Sequence, residues 1–305
     1  MRILVSGASG LVGRALVAAW ERRGDSVFRL VRRSARSEHE VEWSLAERRV
    51  DRQRLRDLDA VVHLAGESVF APRWTAAKKK RIRDSRVVGT GLLAETLAAL
   101  SPPPKRWLCA SAVGYYGDHG TEWVTEETGP GSGFLAETCV AWEAAAEPAR
   151  NAGVSVRHAR LGVVLSDRGG ALATMLPVFR LGFGGRLGSG EQYMSWIHLD
   201  DVVAAITKLV DDDGLAGPFN LVAPHPVPNR EFSDTLGRIL RRPAILPVPS
   251  AVLRLLGGEM AREVLLPSIR VRPHRLLEAG FAFSHAELSG ALRDLLPRAP
   301  RDRGP

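Results

Sequence analysis

The sequence predicts an α/β protein: a doubly wound parallel sheet with a smaller C-terminal lobe interleaved with it. Three observations carry that expectation. Short β-branched runs alternate with helical patterns through the first half of the 305 residues. A glycine turn, Gly7-Ala8-Ser9-Gly10-Leu11-Val12-Gly13, joins the first apolar run to the first helical one. After about residue 165 the alternation gives way to glycine-rich and proline-rich sequence.

RILVS (2–6) reads as a buried strand, and LVGRALVAAWERRG (11–24) as a helix that its final glycine closes. SVFRLVR (26–32) is the second strand, followed by a weak one near 41–43 and a basic helix expected around 49–57. AVVHLAG (60–66) is again a buried strand. A long helix is expected from Thr75 to Leu100, where SPPP stops it. RWLCAS (106–111) and VSVRHAR (154–160) are strands on either side of a helix expected over 134–152. HLDDVVAAITKLVDD (198–212) reads as a further helix, with Asp200 and Asp201 favouring its start.

A chain of this length exceeds the usual single-core limit. The expected division is a nucleotide-binding domain over 1–168, to which 196–222 return. A substrate lobe is expected over 169–195 and 223–298, and a disordered tail over 299–305.

Net charge +8 raises the question of nucleic acid. The basic residues are spread out, however, and the densest run, KKKRIRDSR (78–86), lacks interleaved aromatics for base stacking. It reads as a solvated helix face, and no nucleic-acid partner is expected. No apolar run approaches the roughly 18–20 residues of a membrane span, and no membrane partner is expected; Met1-Arg2 leads directly into the first strand, and no leader is expected. Cys109 and Cys139 lie in apolar surroundings without ligand spacing and read as core thiols of a cytoplasmic protein, with no metal site.

The glycine turn sits where a dinucleotide's pyrophosphate meets a helix N-terminus. Gly7 permits the turn, Gly10 the close approach of phosphate, and Gly13 the packing of helix on strand. Ser9, Leu11 and Val12 complete the cradle. At the end of the second strand a carboxylate would favour NAD(H); the sequence instead offers Arg32 and Arg33, suited to a 2′-phosphate. NADP(H) is therefore the expected cofactor.

Read in order, HLAGE (63–67), SAVGYYGD (111–118) and SWIHLDDV (195–202) give the chain a resemblance to the extended short-chain dehydrogenase/reductases. More narrowly, it resembles their "epimerase family protein" subgroup, which carries its own C-terminal domain of unknown function. The blocks 169–201, 242–259 and 270–283 match that subgroup, and the similarity spans residues 1–296. The resemblance implies a Rossmann sheet with Leu64, Ala65 and Gly66 lining the cofactor. It also implies that Arg86 contacts nucleotide phosphate or ribose, that Gly162 and Val163 border the nicotinamide, and that Ser111 holds a substrate oxygen.

The same resemblance exposes a departure. The tyrosine and lysine that manage the proton in such enzymes fall on Phe134 and Thr138. A free tyrosine has a pKa of about 10, and tuning it toward neutrality takes about 4 kcal/mol, which the lysine helps supply. Tyr115 and Tyr116 are the candidate replacements. Glu67 reads as a ribose ligand, cap or base, Glu137 as a helix-start acid, and His63 and His198 as structural; Trp74, Tyr193 and Trp196 could wall a pocket. The expected activity is an NADP(H)-dependent oxidoreductase or epimerase-like reaction on a small or nucleotide-linked substrate. The alternative is a cofactor-binding sensor that has lost turnover. A homodimer through the 75–100 and 134–152 helices is a further expectation by analogy with the fold.

Overall fold

The structure is a computed structural model that describes residues 1–71 and 73–296; the tail expected over 299–305 lies outside the described residues. Eight strands form the main sheet: β1 (Arg2–Ser6), β2 (Ser26–Val31), β3 (Glu40–Ser44), β4 (Arg49–Val50), β5 (Ala60–His63), β6 (Arg106–Ala112), β7 (Ser155–Leu161) and β8 (Gly217–Leu221). Their order is β8-β7-β6-β5-β1-β2-β3-β4, parallel throughout except for the terminal β3–β4 pair. Chain order reverses at β1, and such a switch point opens a crevice beyond the carboxyl ends of the strands.

The period-2 alternation of the strands sorts their side chains to two faces. Ile3 and Val5 pack with Leu16 and Trp20 of α1 (Leu11–Arg23) and with Ile206 and Leu209 of α6 (Leu199–Asp211). Leu4, Val61 and Trp107 pack on the opposite face against α2 (Ala76–Ala98), α3 (Phe134–Ala144) and α4 (Glu147–Asn151). A third cluster joins Leu172 and Leu176 of α5 (Gly170–Arg180), Phe232 and Leu236 of α7 (Asn229–Leu240), Trp196, and Leu292 of the helix Leu288–Leu295. Beyond α7 lies α8 (Ser250–Met260), which continues into a π-helical turn, Ala261–Leu265.

Two expected helices take a different form. Residues 49–57 hold the two-residue β4 and a 3₁₀ turn, Arg52–Arg54, instead of an α-helix. Val50 is buried in the cluster that contains Trp43, and the Asp51 carboxylate accepts the Gln53 N–H, which closes a tight turn in place of a helical one. The helix expected over 134–152 is broken into α3 and α4. Pro148 opens α4, and a proline has no N–H to continue an i to i−4 ladder. The strand expected over 60–66 ends at His63, because the Leu64 and Ala65 amides turn to the Ser6 hydroxyl.

Candidate functional site

The β1–α1 turn is shaped by close contacts that only hydrogen at Cα permits. A Cβ on Gly13 would sit 2.2 Å from the Gly7 carbonyl oxygen, so α1 rests directly on the turn. Gly7 has φ +69°, and a side chain there would also meet the Leu64 backbone at 2.8 Å. Gly10 begins α1 with no side-chain cap and no acid in its first turn, which leaves the helix N–H groups and their positive dipole end unclaimed.

That turn forms one wall of a cleft of about 620 Å³. Gly7, Ser9, Gly10, Arg32, Arg33, Leu64, Ala65 and Gly66 line it together with Glu40, Trp43 and Glu67. Leu11, Val12 and Gly13 stand behind them in the first turn of α1. Arg86, on α2, is outside this lining but lies against Gly66. Its guanidinium would lie 3.4 Å from a Cβ on Gly66, donates to the Glu67 and Ile82 carbonyls, and stacks over Trp142 with no carboxylate bonded to it. Burial lowers its pKa from the usual arginine value, with the Glu67 carboxylate opposing that shift. Gly162 and Val163 are not part of this lining; they follow β7, the Gly162 N–H donating to the Leu221 carbonyl and Val163 pairing with Trp196.

The two arginines at the end of β2 differ. Arg33 donates to both oxygens of Glu40, at 2.8 and 2.6 Å, and Glu40 also accepts the Arg36 N–H. These hydrogen bonds, Arg33 first, hold the Glu40 carboxyl down at about 2. Arg32 makes no ion pair among the described residues. Sequence reading treated the two alike, because the partner comes from β3. Glu67 is likewise held as a carboxylate, chiefly by its 2.7 Å hydrogen bond from Lys78. Uncapped amides, a glycine cradle and an unpaired guanidinium fit a phosphorylated dinucleotide.

The proton-handling candidates separate on inspection. The Ser111 hydroxyl is buried and donates to Glu143 Oε1 at 2.7 Å. Glu143 in turn accepts from Arg160 Nε and Nη2, each at 2.9 Å. Arg160 Nη1 donates to the Tyr116 hydroxyl at 3.0 Å, and that hydroxyl donates to Asn220 Oδ1 at 2.7 Å. Tyr116 is fully buried, and burial pushes its phenol up to about 12. The Ser111 and Tyr116 hydroxyls, both expected to face substrate, thus donate within the protein. Tyr115 is half-buried, with the Arg160 guanidinium 3.5 Å above its ring and no hydrogen bond to its hydroxyl among the described residues.

Glu143, Arg160 and Asn220 were not singled out from sequence. The available signal was Arg160 inside an otherwise buried strand pattern, in register with Ser111. Phe134 stacks edge-on against Trp74 at 5.3 Å, and Thr138 is buried with its hydroxyl unpartnered, so neither position can pass a proton as a Tyr/Lys pair does. Trp196 is core and donates to the His225 carbonyl, while Tyr193 lies under Arg270. Glu137 is exposed in the first turn of α3.

His63 is buried, its Nδ1 bonded to Ser6 Oγ at 2.6 Å, and burial pushes its pKa down to about 4. His198 gathers with Asp200, His285 and Asp294 at the start of α6. Its Nδ1 accepts the Asp200 N–H at 3.1 Å, which assigns the proton to Nε2, 3.3 Å from Asp294. The ring serves as the cap of α6.

Comparison with known proteins agrees with this geometry. The model of the "NAD dependent epimerase/dehydratase family" matches residues 3–222, and that of a "domain of unknown function (DUF1731)" matches residues 248–295. The chain is 43% identical over 290 residues to the epimerase family protein Mb2239 of Mycobacterium bovis, covering 95% of this chain and 96% of that one. It is 36% identical to the human epimerase family protein SDR39U1, covering 97% and 100%. Among solved structures, the human protein with NADPH superposes with a TM-score of 0.89 at 35% identity over 97% of this chain and 99% of that one. A nucleoside-diphosphate sugar epimerase from Corynebacterium glutamicum gives 0.80 at 34% identity, over 97% of this chain and 58% of that chain.

Proposed function

This chain belongs to the NAD dependent epimerase/dehydratase family, and from that premise we propose that it binds NADP(H) in the glycine-walled cleft and acts as an atypical oxidoreductase or epimerase-like enzyme on a small or nucleotide-linked substrate. The observation that carries the reading is the unpaired Arg32 guanidinium on the wall facing the Gly7–Gly13 turn. The α1 N-terminus takes the pyrophosphate, Arg32 the 2′-phosphate, and Arg86 offsets charge deeper in the cleft. The NADPH named for the human relative supports the choice of cofactor. When bound, NADP(H) supplies or accepts a hydride at the substrate carbon.

The protein must then hold the proton. Ser111 and Tyr116 keep theirs inside the Glu143–Arg160 network, which leaves Tyr115 Oη as the hydroxyl free to serve. Arg160 lies against the Tyr115 ring and holds a fixed cation beside it. Phe134 and Thr138 favour a second reading, a protein that binds NADP(H) without turning substrate over.

One experiment separates the two. The purified protein is incubated with NADPH deuterated at the transferable position and a metabolite extract, and products are sought by mass spectrometry. Label in one metabolite, lost in Tyr115→Phe while NADPH still binds, supports the enzyme. Tight NADPH binding with no labelled product supports the non-catalytic reading. Failure to bind NADPH in preference to NADH overturns both.

A further inference from the structure

Residues 170–190 and 235–258 contain neither aspartate nor glutamate, yet hold six arginines: Arg180, Arg186, Arg238, Arg241, Arg242 and Arg254. All six are exposed, and none is in an ion pair among the described residues. Exposed arginines elsewhere are paired in some cases and not in others; Arg230, between the two stretches in sequence, is paired with Glu191. A large share of the net charge of +8 therefore sits on these two segments.

The segments run side by side. The Leu246 N–H donates to the Gly184 carbonyl at 3.2 Å, the Val248 N–H to Arg186 at 2.9 Å, and the Gly188 N–H back to Val248 at 2.9 Å. Pro243 packs against Gly182, and α8 departs from the end of this ladder. Large apolar side chains stand out from the same segments: Leu181 is 72% exposed, Phe183 63% and Ile245 79%, with Leu255 and Leu256 of α8 at 73% and 66%. Apolar groups that far into water form no part of the core, and several together mark an interaction surface.

The geometry points to a docking face for an anionic lipid surface. Unpaired guanidiniums attract lipid phosphates, while protruding Leu, Phe and Ile side chains enter the boundary between headgroups and acyl chains. A second copy of the chain is a poorer occupant. A two-fold contact would set arginines against arginines with no carboxylate in either segment to offset them. No described helix is long and apolar enough to cross a membrane, so the contact is peripheral.

The test is co-sedimentation of the full chain with vesicles of phosphatidylcholine alone, or with about 30% phosphatidylglycerol added. Binding is expected to the anionic vesicles and not to the neutral ones, and it should weaken at least tenfold at about 0.5 M salt. Phe183→Asp with Ile245→Asp, and separately Arg241→Gln with Arg242→Gln, should each weaken it at least tenfold. Circular dichroism and nucleotide binding check that the variants are folded, and the charge-only pair keeps the test alive where the apolar pair fails to fold. The proposal is overturned if the wild type stays in the supernatant with anionic vesicles, or if folded variants sediment like wild type. A concentration-dependent dimer in ultracentrifugation that Phe183→Asp with Ile245→Asp dissolves would also overturn it, assigning the face to a second copy.

Discussion

Glu143 and Arg160 form an ion pair buried between α3 and the sheet, with both Arg160 Nε and Nη2 2.9 Å from the Glu143 carboxylate. Ser111 completes the coordination of the acid, and the Tyr116 hydroxyl that of the base. Burial works against the Glu143 charge, but the Arg160 hydrogen bonds and charge, together with His158 and Ser111, outweigh it and leave the carboxyl below its usual range. A serine and a tyrosine near the expected catalytic positions thus hydrogen-bond to this pair.

Removing one partner strands the other in a medium that disfavours a lone charge. Arg160→Met should destabilise the protein by about 3–5 kcal/mol in urea unfolding. Adding Glu143→Gln removes the stranded charge and should restore about 1–2 kcal/mol. A double variant no more stable than Arg160→Met would show that the pair is not what holds these elements together.

The glycine turn makes a contrasting prediction. Gly13→Ala places a methyl 2.2 Å from the Gly7 oxygen, and the helix must move to accept it. A stability loss of about 1–3 kcal/mol is expected, with nucleotide affinity reduced at least tenfold. Gly91, inside α2, has nothing within 4 Å of an added Cβ. Gly91→Ala should therefore stabilise by about 0.5–1 kcal/mol, read as a higher melting temperature with unchanged nucleotide binding.

These cases show which parts of the molecule could be read from its sequence. Gly7, Gly10 and Gly13 act through neighbours a few residues away, so their spacing alone announces the turn. The parallel character of the sheet follows from apolar runs alternating with helices. What stayed hidden was pairing across distance: Glu40 reaches Arg33 from the next strand, and Glu143 reaches Arg160 from a helix that precedes β7. Local pattern also misjudged 49–57, where one buried valine and one aspartate turn outweigh a run of helix-compatible side chains.

Arg32 and Arg33 should differ in consequence although they are adjacent. Arg32→Ala removes a cation with no other partner, and NADPH affinity should fall about tenfold or more while NADH affinity holds. Arg33→Ala removes a guanidinium already committed to Glu40 and should cost less. Equilibrium fluorescence titration with both nucleotides reads the ratio directly. Equal losses in the two variants would mean that the Arg33–Glu40 pair opens for the ligand.

Stability should also fall with acid before the carboxylates titrate. His63 and His158 are buried, and burial holds each down at about 4, against 6.5 for a free side chain. Below pH 6.5 the unfolded chain takes up protons on these rings that the folded chain refuses, so the unfolded state gains as pH drops toward 4. By pH 5 the loss should be about 2 kcal/mol for each histidine. Most carboxylates remain ionised there; burial also lowers His198, which adds to the slope, and raises the Glu126 carboxyl, which opposes it. Urea midpoints measured between pH 7 and pH 5 should fall in the wild type and fall by about half as much in His158→Gln. A flat profile, or one that the substitution leaves unchanged, would mean that one or both rings accept a proton in the folded protein.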